Sequence, residues 1–223
     1  MPGPVAQLMP STQDALPRLW LVRHARPQID PGLCYGRLDV SADPDASRNA
    51  AMALAHALPA RVAAVRHSPL RRCEQLAVHL QRLRPDLTSI PEPRIAELDF
   101  GTWEGRAWDA LPHAEIDAWS ARLHEHAPGG GESLARMLAR VAQALQEAAR
   151  LAHADAGAYA PARDVVWITH AGVARCVHWL CTHGPDAVPT AAQWPVEAPA
   201  CGAWTTQALP PPALTGSAAA SAE

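Results

Sequence analysis

Short apolar runs alternate along this chain with longer stretches of helical periodicity. Leu19-Trp20-Leu21-Val22 is a continuous apolar run bounded by polar residues, and it reads as a buried strand. Residues 28–45 are loop-like, punctuated by Pro31-Gly32 and Asp43-Pro44, and residues 46–58 have helical composition. Val62-Ala63-Ala64-Val65 reads as the next strand. Ser68-Pro69 then opens a helix in N-cap and first-turn order, with an apolar stripe of Leu70, Cys73, Ala77, Leu80 and Leu83. Residues 91–112 are irregular, and a helix around residues 114–123 follows. Gly129-Gly130-Gly131 is a flexible entry to a long helix with Ser133 as N-cap and Leu134, Met137, Leu138, Val141 and Leu145 on one face. Residues 165–169 read as a strand, 172–182 as a helix and 203–207 as a last edge strand. This alternation predicts a layered α/β domain with a largely parallel sheet.

Composition narrows the chemistry. All 19 basic residues are arginines, which excludes a lysine Schiff base and a lysine-containing phosphate loop. Arginine is left as the permanent cation for gripping an anion, a task its planar fork suits. The net charge of −3 and the lack of a long basic run exclude nucleic acid as the expected partner. The five cysteines are odd in number and match no disulfide framework. Neither a secretory apolar stretch nor a membrane span is evident, so the expectation is a soluble, cytoplasmic protein with reduced thiols and no membrane partner. At the ends, residues 1–17 read as a flexible lead-in and residues 209–223 as a disordered Pro/Ala-rich tail, leaving 18–208 as the folded domain.

Candidate chemistry collects at strand ends. Arg23-His24 closes the first apolar run, Ser68 and the helix carrying Arg72 follow the second, and His170 closes the run at residues 165–169. The edge outside the carboxyl ends of parallel strands is where α/β sheets usually bind ligands. Arg72 lies about 200° from Leu70 at ~100° per residue, away from the core stripe, and near first-turn N–H groups suited to an anion. Imidazole near neutrality can be a nucleophile or a phosphate ligand, so His24 can attack phosphorus while His170 and Arg72 hold the equatorial oxygens. A leaving alkoxide needs a proton, and spacing leaves Glu97, Asp99 and Glu104 all open as donors.

Four blocks carry a family resemblance. Leu21-Val22-Arg23-His24-Ala25 resembles the Arg-His-Gly signature of the histidine phosphatase superfamily, in its phosphoglycerate-mutase-like branch. Ser68-Pro69-Leu70-Arg71-Arg72, the segment from Glu97 to Gly105, and Thr169-His170-Ala171-Gly172-Val173 follow in the family's order. The resemblance implies a three-layer α/β sandwich with helices flanking a mostly parallel sheet. It also implies a cofactor-independent, metal-free phosphomonoesterase acting on a small-molecule phosphate ester. His24 would be the phosphorylated nucleophile, with Arg23, Arg72 and His170 binding the phosphoryl group. Glu97 would be the proton donor, and the N–H of Ala171 a further phosphate contact.

Ala25-Arg26-Pro27 departs from the generic pattern. Arg-His-Ala-x-Pro, the loop from Cys34 to Asp39, and Gly130-Gly131-Glu132-Ser133 resemble the alpha-ribazole phosphatase subgroup of cobalamin biosynthesis. Arg26 then faces the substrate, and Arg37 is a substrate contact or else a loop ion pair with Asp39. A phosphoglycerate-mutase-type transfer and a non-catalytic phosphate-binding role are the alternatives. Homodimerisation is an open alternative that sequence does not address. Cys176, His178, Cys181 and His183 do not share a helical face, which excludes one tetrahedral zinc and leaves a core helix with buried thiols.

Overall fold

The computed structural model describes residues 16–157 and 161–212. Its elements in chain order are β1 (Arg18–Arg23), α1 (Pro44–Ala57), β2 (Val62–His67), α2 (Arg71–Leu83) and β3 (Ser89–Pro91), then α3 (His113–Ala121), α4 (Leu134–His153), β4 (Asp164–Thr169), α5 (Ala171–His183) and β5 (Trp204–Ala208). The strands form one sheet in the order β3-β2-β4-β1-β5. β1, β2, β3 and β4 are mutually parallel, and β5 runs antiparallel along the edge of β1.

Period-two alternation sorts the central strands into two cores. Leu19, Leu21, Val165 and Trp167 pack with the buried faces of α4 and α5. Trp20, Val22, Val166 and Ile168 pack on the opposite face with α1 and α2. That two-sided burial explains why β1 and β4 are continuous apolar runs, and it produces the three layers the resemblance implied. Each fully buried large side chain contributes about 1.5–3 kcal/mol, so truncating a central one such as Leu21 removes a sizeable fraction of the fold's stability.

Several expectations need correction. β3 was not foreseen: Ser89-Ile90-Pro91 is three residues long, ends in proline and has no periodic signal, yet it pairs with β2 from Val65 to His67. β2 itself runs on to His67, and α1 begins at Pro44, capped by Asp43 accepting from Ala46 N–H. Ser68 does not cap α2, whose N-cap is Leu70 without a side-chain bond. Leu83 is exposed rather than part of the stripe. Two of the three glycines before α4, Gly129 and Gly131, are packed rather than loose, while Gly130 faces open space. A Cβ on Gly131 would stand 2.2 Å from the Asp99 carbonyl oxygen, and one on Gly129 2.2 Å from that of Phe100. Ser133 does cap α4, accepting from Arg136 N–H.

Of the α5 thiols, Cys176 is buried and Cys181 exposed, so only one belongs to the core. Leu209, placed at the start of the tail, is buried, and its N–H donates to the Pro17 carbonyl. Residues 1–15 and 213–223, which carry most of the two terminal expectations, lie outside the described residues. Among the described residues, no helix is long and apolar enough to cross a membrane.

Candidate active site

Parallel register brings the three strand ends together. Arg23 pairs with Thr169 and His67 with Ile168, so the residues that follow each strand emerge side by side. The ladders continue one step further, with His24 N–H donating to Thr169 O and Ser68 N–H to Ile168 O, both at 2.9 Å. His24 and His170 thereby stand with ring centroids 5.2 Å apart. Both are buried, as are Ser68 and Arg72.

His24 Nδ1 lies 2.7 Å from the Ala25 carbonyl oxygen. A carbonyl can only accept, so Nδ1 carries the proton and Nε2 keeps its lone pair. Burial, reinforced by the Arg72 and Arg23 guanidiniums and opposed by the Ala25 carbonyl, pushes the His24 pKa down to about 3. His170 is likewise held well below the ordinary imidazole value, by burial first and then by Arg72. His170 Nε2 meets Ser68 Oγ at 2.8 Å. That oxygen also accepts from Leu70 N–H at 3.4 Å, so its own proton is free to point at Nε2. Where Ser68 Oγ donates to Nε2, the His170 proton is on Nδ1, which among the described residues is buried without a partner.

The depressed His24 has a consequence for stability. Between pH ~6.5 and about 3 the unfolded chain binds a proton here that the folded chain does not. Stability therefore falls as pH drops through that window, at up to about 1.4 kcal/mol per pH unit. Urea titrations at pH 7 and pH 5 should show the loss, and His24→Asn should make it smaller, the remainder coming from His170 and the other depressed imidazoles. An unchanged pH slope in that variant would contradict the assignment.

Arg72 is fully buried and donates through Nη1 to Leu38 O at 2.8 Å and through Nη2 to Gly36 O at 2.6 Å. Its guanidinium lies 5.5 Å from the centre of the Tyr35 ring. Arg23 Nη1 donates to Pro199 O at 3.1 Å. Neither arginine is ion-paired among the described residues, and both have a buried Nε without a partner. Two such cations beside two neutral imidazoles are poorly compensated on their own and suit an incoming anion.

The three acids separate cleanly. Glu97 lines the cavity with Arg23, His24, Ala171 and Gly172, and its Oε2 accepts from Gly172 N–H at 3.0 Å. Gly172 permits this approach, since a Cβ there would lie 2.1 Å from Glu97 Oε1. Asp99 accepts from Gly101 N–H in a local turn. Glu104 takes four backbone N–H groups, from Gly36, Arg37, Leu38 and Phe100. It fastens the loop whose carbonyls hold Arg72. Glu104→Ala should lower unfolding stability by about 2–3 kcal/mol in urea and raise KM more than it lowers kcat. A stability change below ~0.5 kcal/mol would show the loop is held otherwise.

Other sequence candidates lie apart. Arg26 is exposed, pairs with Asp43 at 2.9 Å and borders a separate cleft with Cys201 and Trp204. The Arg37 side chain is exposed and does not line the cavity; Asp39, its suggested partner, accepts instead from Arg71 N–H. Sequence reasoning missed Arg140, which pairs bidentately with Glu132 at 2.7 Å and donates to the carbonyls of Arg94, Ala96 and Glu97. It braces the backbone that carries Glu97. It also missed Arg175, which lines the cavity one helical turn after Ala171, and that spacing was readable.

This arrangement defines a class. Residues 19–197 match the histidine phosphatase superfamily (branch 1), and the chain belongs to that family. Among individual relatives, it is 33% identical over 165 residues to glucosyl-3-phosphoglycerate phosphatase of Mycobacterium tuberculosis (strain ATCC 25618 / H37Rv), covering 70% of this chain and 71% of that one. It is 32% identical over 137 residues to phosphoserine phosphatase 1 of Hydrogenobacter thermophilus, covering 58% of this chain and 63% of that protein. A mycobacterial glucosyl-3-phosphoglycerate phosphatase solved with inorganic phosphate superposes with a TM-score of 0.66 at 26% identity, over 85% of this chain and 88% of that one.

Proposed function

We propose that this protein is a phosphomonoesterase that hydrolyses a small-molecule phosphate ester through phospho-His24. One observation carries the reading. Among the described residues, buried side-chain polar atoms without partners occur on Arg23, Arg72, His170, Trp119 and Arg175. The first three converge on His24, as donors for phosphoryl oxygens.

In the first step the His24 Nε2 lone pair attacks phosphorus, and the ester P–O bond breaks. Arg23, Arg72, His170 Nδ1–H and Ala171 N–H hold the equatorial oxygens. Glu97 gives its proton to the leaving alkoxide. In the second step the Glu97 carboxylate takes a proton from water as that water attacks phosphorus. The Nε2–P bond breaks, inorganic phosphate leaves, and His24 and Glu97 return to their starting states. Phosphate in the solved mycobacterial relative supports the anion site by analogy.

The finer substrate reading is alpha-ribazole 5′-phosphate, supported by Arg-His-Ala-x-Pro and by the loop from Cys34 to Asp39, which brings Tyr35 to the cavity. Five unpaired thiols fit the cytoplasmic placement. Steady-state assays of phosphate release test the activity. Release from alpha-ribazole 5′-phosphate with kcat/KM at least about tenfold above phosphoserine is expected. Transfer to a second hydroxyl without release would instead establish a mutase.

A further inference from the structure

Arg23 and His24 stand where β1 ends, so their backbone polar groups need partners beyond the strand. All four groups have one. His24 N–H donates to Thr169 O, as described above. The other three meet the residues that lead into β5. Arg23 N–H donates to Ala203 O at 3.0 Å, and Gly202 N–H is shared between Arg23 O at 3.2 Å and His24 O at 3.0 Å. The Arg23 side chain reaches the same segment, through Nη1 to Pro199 O. Antiparallel pairing explains the meeting. Trp204 lies opposite Val22, so residues entering β5 lie beside those leaving β1.

The segment is a β-turn. Ala203 N–H donates to Ala200 O at 3.0 Å, enclosing Cys201 and Gly202. Gly202 has φ +79°, and no described residue other than glycine has a positive φ. Cys201 is therefore on the ordinary side and the turn is type II, whose third position demands glycine or asparagine. The fit is also close, since a Cβ on Gly202 would stand 3.2 Å from Ala50 Cβ on α1. Arg23 and His24 line the phosphoryl cavity, whereas the turn lies outside it. The turn thus touches both groups from behind, at backbone and side chain, without reaching a bound substrate.

We propose that Gly202 is a positioning residue for phosphoryl transfer, its turn holding the His24 nucleophile and the Arg23 phosphoryl grip as one unit. The proposal rests on the phosphatase reading and adds to it an element about 180 residues away in sequence. Misplacing a reacting atom by ~1 Å costs about 10²-fold in rate, which sets the scale expected when the turn is distorted.

Tests on the full chain separate positioning from ordinary backbone strain. Gly202→Ala should lower kcat for p-nitrophenyl phosphate about 10²-fold and weaken orthovanadate, a phosphate mimic, about tenfold in calorimetry. Gly184→Ala is the matched control. It imposes left-handed strain at φ +87° at the end of α5, with nothing within 4 Å of the added Cβ. Folded by circular dichroism, it should stay within about threefold of the unaltered chain on both readouts. In the unaltered chain, orthovanadate should slow amide exchange at Gly202 about tenfold, because that N–H bonds the carbonyls of the two residues gripping the anion, and leave Gly184 unchanged. A folded Gly202→Ala within about threefold of the unaltered chain, equal losses in Gly184→Ala, or unchanged Gly202 exchange would overturn the proposal. Exchange decides the matter even where Gly202→Ala fails to fold. Anion-linked protection of Gly202 without ester turnover would leave the positioning role standing and sink the phosphatase reading. Turnover with unchanged exchange would do the reverse.

Discussion

His24→Ala should reduce kcat for every phosphomonoester by at least about 10⁴-fold, because it removes the atom to which the phosphoryl group is transferred. No neighbour can substitute. His170 Nε2 is engaged by Ser68 Oγ, and its Nδ1 is buried. Cys73 is 3.5 Å from His170, but burial pushes its thiol up to about 12, which leaves no thiolate near neutrality. The low His24 pKa adds a second expectation. With the imidazole neutral far below pH 6.5, kcat/KM should show no loss near that pH from protonation of the nucleophile. A pH-rate profile checks this, and a loss of kcat/KM below pH ~6.5 that remains after allowing for the substrate phosphate's own titration would contradict it.

Glu97→Gln should separate the two halves of the reaction. Loss of a general acid costs about 10²–10⁴-fold when the leaving group needs a proton. Hydrolysis of an alkyl phosphate should fall by that factor. Phosphorylation by p-nitrophenyl phosphate, whose phenolate leaves unaided, should fall by less than about tenfold. Dephosphorylation also uses Glu97, so the variant should accumulate phosphoprotein from the nitrophenyl ester and show a burst of nitrophenolate. Equal losses for both esters, with no burst, would remove Glu97 from this role. Arg140→Met offers a graded version. It leaves the carboxyl group present but frees the backbone carbonyl that Arg140 holds, so it should lower kcat for the alkyl ester more than for the nitrophenyl ester.

Much of the reaction centre was legible because local pattern and tertiary position coincide there. An apolar run that stops at a histidine places that histidine at a strand end, and parallel pairing does the rest. Arg72 was legible as an off-stripe arginine, but its complete burial was not, since the carbonyls that hold it come from a loop more than thirty residues earlier. Ser68 was misread for a related reason. Ser-Pro before a helix is a local capping signal, whereas the Ser68 hydroxyl is drawn to His170, 102 residues away. Spacing could not choose among Glu97, Asp99 and Glu104, because the choice depends on which backbone amides each carboxylate meets. β3 is too short and too irregular to signal itself.

A reaction through phospho-His24 requires a covalent intermediate that can be trapped. The protein is mixed briefly with a ³²P-labelled phosphomonoester, denatured in alkali and mapped by peptide. One acid-labile, alkali-stable label should appear on His24, absent from His24→Ala and chased from the native protein as inorganic phosphate. Steady turnover with no label on the protein, or a label that persists in His24→Ala, would contradict it.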